Sequence, residues 1–593
     1  MMRLPKSAVG RTAVNFQRVQ VNGLRSPKFT TLRPQSVRYS SSNTPPPPSP
    51  QASSSLLAVA IGSIVSACLG YGFASSRSSQ SVDELTLLST IPANSDSGLN
   101  EHYGSPADFK RAIEELKSTF PEEDIVTTDE DELHVHGNSV NDYHPGSLPS
   151  VVVFPRSTED VVKIVKISRK YRMPIIPYSG ATSLEGHYRA PASGSICVDM
   201  SGMDKILEIH EADSDLVCQP GARWADINAT LKEKGKLIRL SGWIPLFFPL
   251  DPAPGATIGG MVSTGCSGTN AVRYGTAKAE WFLNVTVVLP NGEVIKTRRR
   301  SRKSSAGFDT TKLFIGAEGT LGIITEVTIR LTPLLPTNVA LCHFPDVKKA
   351  TEAVADIMNQ GVGIQCVELV DDDFMKSTNL YGMSQRKWPE KDSLFFKFQG
   401  PSETSLKETA RTVKKISEKH GGFGFTLAGS EKEANDLWAD RKNALYSGLA
   451  LVEGCKGWST DVCVPVSRLP DLVYETKKDI TQSGLVSTIV GHVGDGNFHA
   501  LLLFTNDDEL AHIREIVHRM VKRAIAMDGT CTGEHGVGIG KREYLYEELG
   551  EGTVELMKTV KRAIDPLNLF NPGKLYPSRP EHEPKPIAST PSS

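Results

Sequence analysis

The segment PGATIGGMVSTGCSGTNAVRYG, from Pro254 to Gly275, constrains the fold of this chain more than any other stretch. Six glycines separated mainly by Ala, Ser and Thr leave little side-chain bulk, so a neighbouring backbone or a large ligand must lie against the main chain. Two further loops repeat this composition. SGATSLEG (179–186) follows the apolar run PIIPY (174–178), and GAEGTLGIIT (316–325) opens a long β-like run from Leu321 to Leu331. A strand running into a turn of small residues can aim successive backbone N–H groups at one anion, such as a pyrophosphate. Each turn taken alone is equally explained by close strand packing; three together favour a bound ligand. Neither G-x-G-x-x-G nor G-x-x-x-x-G-K-[ST] occurs anywhere in the 593 residues, which disfavours a Rossmann dinucleotide fold and a P-loop.

Periodicity frames these loops. VVVFP (151–155) reads as a buried strand, Thr158 as the cap of a helix carrying Val161, Val162, Ile164, Val165 and Ile167, and PIIPY as the returning strand. A helix is expected near Pro106 to Phe120, and WFLNVTVVLPNGEVIK (281–296) reads as two strands about an Asn-Gly turn. The Pro-rich LTPLLPT (331–337) marks a boundary. Beyond it, helices near 346–360, 402–420 and 431–450 alternate with strand-like runs at 364–370, 393–399 and 486–504, an α+β domain built on an antiparallel sheet.

The first 50 residues hold eight Lys or Arg and no Asp or Glu, the composition of a mitochondrial presequence with a Pro-rich spacer, PPPPSP. The stretch Leu56 to Ala74 is uncharged and mostly apolar, so residues 55–75 are expected to form a single transmembrane anchor. Basic residues before it are expected to stay on the matrix side, which places the rest of the chain in the intermembrane space, on the mitochondrial inner membrane. Gly62, Ser66 and Gly70 offer a packing face for a second anchor, and hence for a homodimer. A polar lead-in spans 95–146, and residues 578–593 form a disordered tail. Removing the eight cations of the presequence takes the formal net charge from −2 to −10, which argues against nucleic acid and for a basic protein partner. The run RRRSRK (298–303) reads as a solvated loop, and the nine cysteines, without a C-x-x-C pair, as free thiols.

GHVGDGNFH (491–499) and GEHG (533–536) offer His492, His499 and Glu534 to one divalent metal, with His535 beside the carboxylate. Two imidazoles and one oxygen suit zinc, manganese or iron, and three protein ligands leave positions open for a substrate. Turn histidines and a surface glutamate remain the alternative from spacing alone.

Taken with GEHGVGIGKREYL (533–545) and DPLNLFNPGKLYP (565–577), these motifs resemble a known family. Residues 147–336 resemble the FAD-binding, PCMH-type domain of the vanillyl-alcohol-oxidase group, and 337–577 its FAD-linked oxidase C-terminal domain. Within that group the motifs are most similar to the mitochondrial D-lactate dehydrogenases that reduce cytochrome c. The resemblance implies that the FAD pyrophosphate lies on Ser179, Gly180, Ala181, Thr182, Ser183, Gly186 and His187. The ring system would run along Pro254, Gly255, Thr257, Gly260, Gly265, Gly268, Thr269, Tyr274 and Gly275, and along Glu318, Gly319, Gly322 and Ile323, with Asn571 closing over the flavin. Thr182 stands where covalent members carry a histidine, so non-covalent FAD is expected.

Oxidation of a D-2-hydroxy acid follows from the same resemblance. His535 would take the hydroxyl proton, a zinc or manganese ion on His492, His499 and Glu534 would bind the hydroxyl, Arg441 would clamp the carboxylate, and Lys456 would assist. Relatives acting on D-2-hydroxyglutarate place polar side chains where this chain has Leu445 and Leu501, which favours a small monocarboxylate such as D-lactate. The run IPLFFPL (244–250) is expected to add an apolar wall. Three rivals stand beside this reading: a related D-2-hydroxy acid dehydrogenase of the same fold, a metal-dependent hydrolase without flavin, and a non-catalytic membrane-anchored scaffold.

Overall fold

Two helices and a small sheet open the described part of the chain. In the computed structural model, residues 98–139, 142–238 and 244–579 are described; the expected presequence, anchor and nearly all of the tail lie outside them. A capping box starts the helix Pro106–Thr119: Ser105 accepts from the Asp108 N–H, and Asp108 accepts from the Ser105 N–H. Its buried Phe109, Ala112 and Leu116 pack with Val161, Ile164 and Val165 of the helix Thr158–Tyr171. The cap of that second helix is Ser157 and not Thr158. Ser157 Oγ accepts from the Asp160 N–H at 3.2 Å, and Thr158 is already the first helical residue.

These helices pack with a four-stranded sheet in the order Val126–Thr127, Val151–Val153, Ile196–Asp199, Ile175–Tyr178. The last three strands are parallel and their residues largely buried, as a sheet covered on both faces requires. A five-stranded antiparallel sheet follows, ordered Ile206–His210, Asp215–Cys218, Ile323–Arg330, Phe282–Val288, Val294–Lys296. The IPLFFPL run serves this second core instead of a substrate pocket. Leu246–Phe247 pairs with Thr332–Pro333, and Phe248 and Leu250 are buried among Ile258, Met261, Val285 and Val327.

The C-terminal half is built on an eight-stranded antiparallel sheet. Its main path runs Phe423–Leu427, Thr337–His343, Ser393–Gln399, Ile364–Val370, Ser487–Gly491, Asn497–Phe504, Lys456–Ser459. A large core joins it to the helices Val347–Asn359, Glu403–Lys419, Leu469–Ser483 and Asp507–Ala526; a smaller one holds Phe374, Met375, Leu437 and Trp438. The α+β class and the antiparallel second sheet agree with the pattern of the sequence.

The end of the chain returns to the first half. Leu569 and Phe570 join the core of the parallel sheet, Leu569 O accepts from the Ile175 N–H at 2.7 Å, and the Asn571 N–H donates to Ile175 O at 2.8 Å. Lys561, fully buried, secures this return: Nζ donates to Thr320 O (2.8 Å), Asp565 Oδ2 (2.6 Å) and Phe570 O (2.9 Å). The eight described cysteines are free. In the RRRSRK loop Arg300 pairs with Asp213 and Asp215. Among the described residues no helix is long and apolar enough to cross a membrane.

Candidate active site

The turn between Ser487–Gly491 and Asn497–Phe504 brings two histidines together. Register pairs Val490 with His499, a short 3-10 turn covers Val493–Asp495, and Gly496, at φ 82°, closes it where a Cβ would lie 1.9 Å from Val464 O. His492 Nε2 lies 3.1 Å and His499 Nε2 3.2 Å from the same oxygen, Glu534 Oε1. The outward nitrogens fix the tautomers. His499 Nδ1 lies 2.9 Å from Thr460 O, which only accepts, so Nδ1 carries the proton; His492 Nδ1 lies 2.9 Å from the Glu368 carboxylate, which asks for the same tautomer. The two Nε2 lone pairs and the Glu534 oxygen therefore converge within 4.8 Å of one another, an arrangement that calls for a cation between them or protons on the rings.

The electrostatics agree. Burial opposes the charged form of His492, but Glu368 and Glu534 outweigh it and hold the imidazole well above its usual range. Burial likewise works against the Glu534 carboxylate, and His492 and His499 override it, holding the group well below the ordinary carboxylate range. Ser267 Oγ, from the glycine-rich segment, donates to Glu534 Oε2 at 2.7 Å and joins the two halves of the molecule at this carboxylate.

His535 stacks on His499 with ring centroids 4.9 Å apart. Burial pushes its imidazole down to about 3, so the ring is neutral at physiological pH. Its backbone N–H and that of Glu534 both donate to Asp461 Oδ2 at 2.9 Å. Lys541 lies 3.4 Å from the same oxygen and 3.0 Å from Glu185. Arg441, at the end of the helix Glu431–Lys442, is 6% exposed, and its Nη2 donates to Glu368 Oε2 at 2.6 Å. Its Nε has no hydrogen-bond partner. Glu368 thus bridges Arg441 and His492, a role that sequence reasoning missed because IQCVELV reads as an ordinary buried strand. The available signal was the cost of a lone carboxylate in such a strand. Asp461 was missed too, and no motif announces it.

A cleft of about 440 Å³ connects this cluster to the glycine-rich loops. Ser179, Gly180, Ala181, Thr182, Ser183 and His187 line it, with Pro254, Thr257, Gly260, Gly268, Thr269, Glu318, Gly319, Gly322, Ile323 and Asn571. Arg441, Leu445, His492, His499, Leu501, Glu534 and His535 line its other end. Six expected residues do not. Lys456 is exposed on its strand opposite Phe504, and the cleft wall has Lys442 instead. Gly186 packs on Ile539, Gly255 on Thr182, Gly265 and Gly275 end short helices, and Tyr274 donates to Gln399 Oε1 at 2.6 Å.

The cleft wall stores backbone strain. Ala181 (φ 50°), Glu318 (φ 54°) and Asn571 (φ 43°) hold left-handed conformations, on the order of 1 kcal/mol each for residues with a Cβ. Surrounding bonds hold them there: Glu318 accepts from the Val537 and Gly538 N–H groups at 2.6 and 2.9 Å, and Asn571 Nδ2 donates to His187 O and Glu318 O. Asn571 Oδ1 and His187 Nδ1 are buried without partners. Small residues along a long cleft, strained turns and unpartnered buried polar atoms fit a large flat ligand with an anionic linker.

Residues 149–298 match the family model of an FAD binding domain, and 336–575 that of the C-terminal domain of FAD linked oxidases. A mitochondrial D-lactate dehydrogenase (cytochrome) of Arabidopsis thaliana is 44% identical over 472 residues, 79% of this chain and 80% of that protein. This chain is an FAD-linked oxidase of the D-lactate dehydrogenase (cytochrome) family. Another member, D-lactate dehydrogenase (cytochrome) 1 of Saccharomyces cerevisiae, is 38% identical over 94% of this chain and 97% of its own length. A D-2-hydroxyglutarate dehydrogenase of Stutzerimonas stutzeri is 29% identical over 78% of this chain and 98% of its own. Among solved structures, 4-ethylphenol oxidase from Gulosibacter chungangensis shares the fold at 18% identity, TM-score 0.66, covering 82% of this chain and 99% of that one. p-Cresol methylhydroxylase does so at 17% identity, TM-score 0.63, covering 80% and 97%. Membership in the FAD-linked oxidases sets aside the flavin-free hydrolase and the inert scaffold.

Proposed function

We propose that this protein oxidises D-lactate to pyruvate with FAD and a divalent metal, zinc or manganese, and passes the electrons to cytochrome c at the mitochondrial inner membrane. The carrying observation is the convergence of His492 Nε2, His499 Nε2 and Glu534 Oε1, with both tautomers fixed from behind, at one end of a cleft walled by flavin-domain loops. FAD, when bound, supplies a two-electron acceptor that can release electrons singly to a haem. A divalent ion on the three ligands supplies Lewis acidity toward the substrate hydroxyl.

The chain's own residues do the rest. Arg441 holds the substrate carboxylate with the guanidinium N–H groups that Glu368 leaves free. His535 takes the hydroxyl proton; its Nδ1 is buried, 4.0 Å from Glu185, which leaves Nε2 for the task. Leu445 and Leu501 give the substrate end an apolar wall on which a second carboxylate would be buried unpaired. Thr182 at the cleft wall supports non-covalent FAD, and acid precipitation is expected to leave the yellow flavin in the supernatant. One observation favours a second reading: Lys442 lines the cleft with no ion pair among the described residues and suits a dicarboxylate such as D-2-hydroxyglutarate.

Anaerobic mixing of the purified protein with D-lactate, L-lactate and D-2-hydroxyglutarate, monitored at the flavin band near about 450 nm, tests both. Rapid bleaching by D-lactate is expected. Bleaching by D-2-hydroxyglutarate alone would overturn the substrate assignment, and a folded sample with no flavin band would overturn the cofactor.

A further inference from the structure

Leu501 lies on the strand Asn497–Phe504 at the substrate end of the cleft and is 5% exposed. Two glycines from different elements flank its two methyl groups. A Cβ at Gly448, in the helix Ala444–Leu449, would lie 2.6 Å from Leu501 Cδ2; a Cβ at Gly457, in the strand Lys456–Ser459, would lie 2.7 Å from Leu501 Cδ1. Neither glycine is needed for its backbone, because neither has a positive φ. Gly457 runs against local preference, since glycine weakens a strand interior, and Gly448 stands in the last turn of its short helix, where a residue with a side chain would serve the backbone equally well. What they share is Leu501.

We infer that Gly448 and Gly457 form a slot that holds the Leu501 isobutyl group back from the cleft, and so set the length of substrate side chain the site accepts. The inference rests on the reading of the cleft as a 2-hydroxy-acid site. The backbone of Leu501 is fixed by pairing with Ser459 on one side and Thr488 on the other. Thr488 Oγ1, 3.2 Å from a Cβ at Gly448, and Leu449 Cδ2, 3.3 Å from one at Gly457, close the slot further. A methyl group at either position leaves Leu501 one open direction, the cleft. Gly448 and Gly457 are thus positioning residues that act through Leu501 without reaching the substrate.

The test compares D-lactate with D-2-hydroxybutyrate, one methylene longer, on the full-length holoenzyme and on Gly448→Ala, Gly457→Ala, Leu501→Ala and the double variant Gly448→Ala/Leu501→Ala. Gly448→Ala is expected to keep kcat/KM for D-lactate within about threefold and to lower it about tenfold or more for D-2-hydroxybutyrate, with the loss in KM. Leu501→Ala shifts the preference toward the longer acid, and the double variant behaves as Leu501→Ala does. An equal loss on both substrates, or a double variant that keeps the selectivity of Gly448→Ala, overturns the slot. Should Gly448→Ala fail to fold, Leu501→Phe replaces it: the larger ring must impair the longer acid selectively, and an unchanged ratio overturns the inference. A parent enzyme whose flavin no 2-hydroxy acid reduces fails the underlying reading of the cleft, an outcome distinct from uniform losses in the variants.

Discussion

Glu368 is buried among apolar strands and is stable there because Arg441 and His492 face its two oxygens. Its charge holds the Arg441 guanidinium and asks for the proton on His492 Nδ1, the arrangement that the proposed substrate clamp and metal site require. Glu368→Gln keeps the volume and removes the charge, so metal affinity is expected to fall about 10- to 100-fold and KM for D-lactate to rise. Chelator competition and steady-state kinetics read the two effects separately, and unchanged metal affinity would remove Glu368 from the ligand support. A pH dependence follows from His492. With its folded-state imidazole raised by Glu368 and Glu534 against the effect of burial, metal must displace a proton, so affinity rises with pH up to and through that raised value. Metal titrations between about pH 6 and about pH 8 should show tightening toward the alkaline side, and a flat profile would contradict the proton competition.

At the scale of elements, the helix Thr158–Tyr171 shows how local chemistry leaves a choice open. Ser157 and Thr158 are adjacent and both suit an N-cap; packing of Val161, Ile164 and Val165 into the core sets the helical phase, and Ser157 takes the extended φ of −147°. Ser157→Ala is therefore expected to cost about 1 kcal/mol of stability and Thr158→Ala much less, measured by denaturant unfolding. Equal costs would return the cap to Thr158. The hairpin that carries His492 and His499 was more legible, since the glycines around Asp495 between β-like runs mark a turn; its register pairs His499 with Val490 and leaves His492 at the start of the turn, instead of facing the two histidines across it. Lys456 shows the converse: the family resemblance implied a place for it in the site, yet pairing with Phe504 leaves the side chain exposed and Lys442 at the cleft wall.

Across the whole molecule, the cleft exists only because two halves close on each other. Ser267 bonds Glu534 across 267 residues of sequence, Glu318 receives the Val537 and Gly538 amides, and the segment carrying Asn571 pairs with the strand that leads into the first glycine loop. FAD bound along that seam would contact both halves and stabilise them as a unit. Net charge acts at the same scale. Without the eight cations of its first 50 residues the chain would carry −10 and would attract a basic haem protein over a distance, so reduction of cytochrome c is expected to slow as ionic strength rises, with flavin reduction by D-lactate little changed. Stopped-flow measurement at low and high salt checks this, and a salt-independent second step would count against an electrostatically steered partner.

Periodicity and turn chemistry are local, so the sequence by itself determined the strands at 151–153, 175–178, 282–296, 323–330, 364–370 and 393–399, the helices near 106–119, 158–171, 347–359 and 403–419, the antiparallel second sheet and the three glycine-rich turns, and it singled out His492, His499, Glu534 and His535 together. Strands such as Ile206–His210 and Thr337–His343 and helices such as Leu469–Ser483 and Asp507–Ala526 emerged only in the fold. Pairing between buried charges is not local. Glu368 meets Arg441 from 73 residues away and His492 from 124, and Asp461 reaches Glu534 across 73, so neither carries a motif. Which glycines border the cleft was undecidable for the same reason: Gly180 and Gly319 line it although a Cβ on either would also meet Gly255 O or Pro177, and Gly186 and Gly255 do not line it. A missing side chain looks the same in sequence whether the space beside it holds a cofactor, a leucine or another strand, and only the tertiary fold brings that neighbour into place.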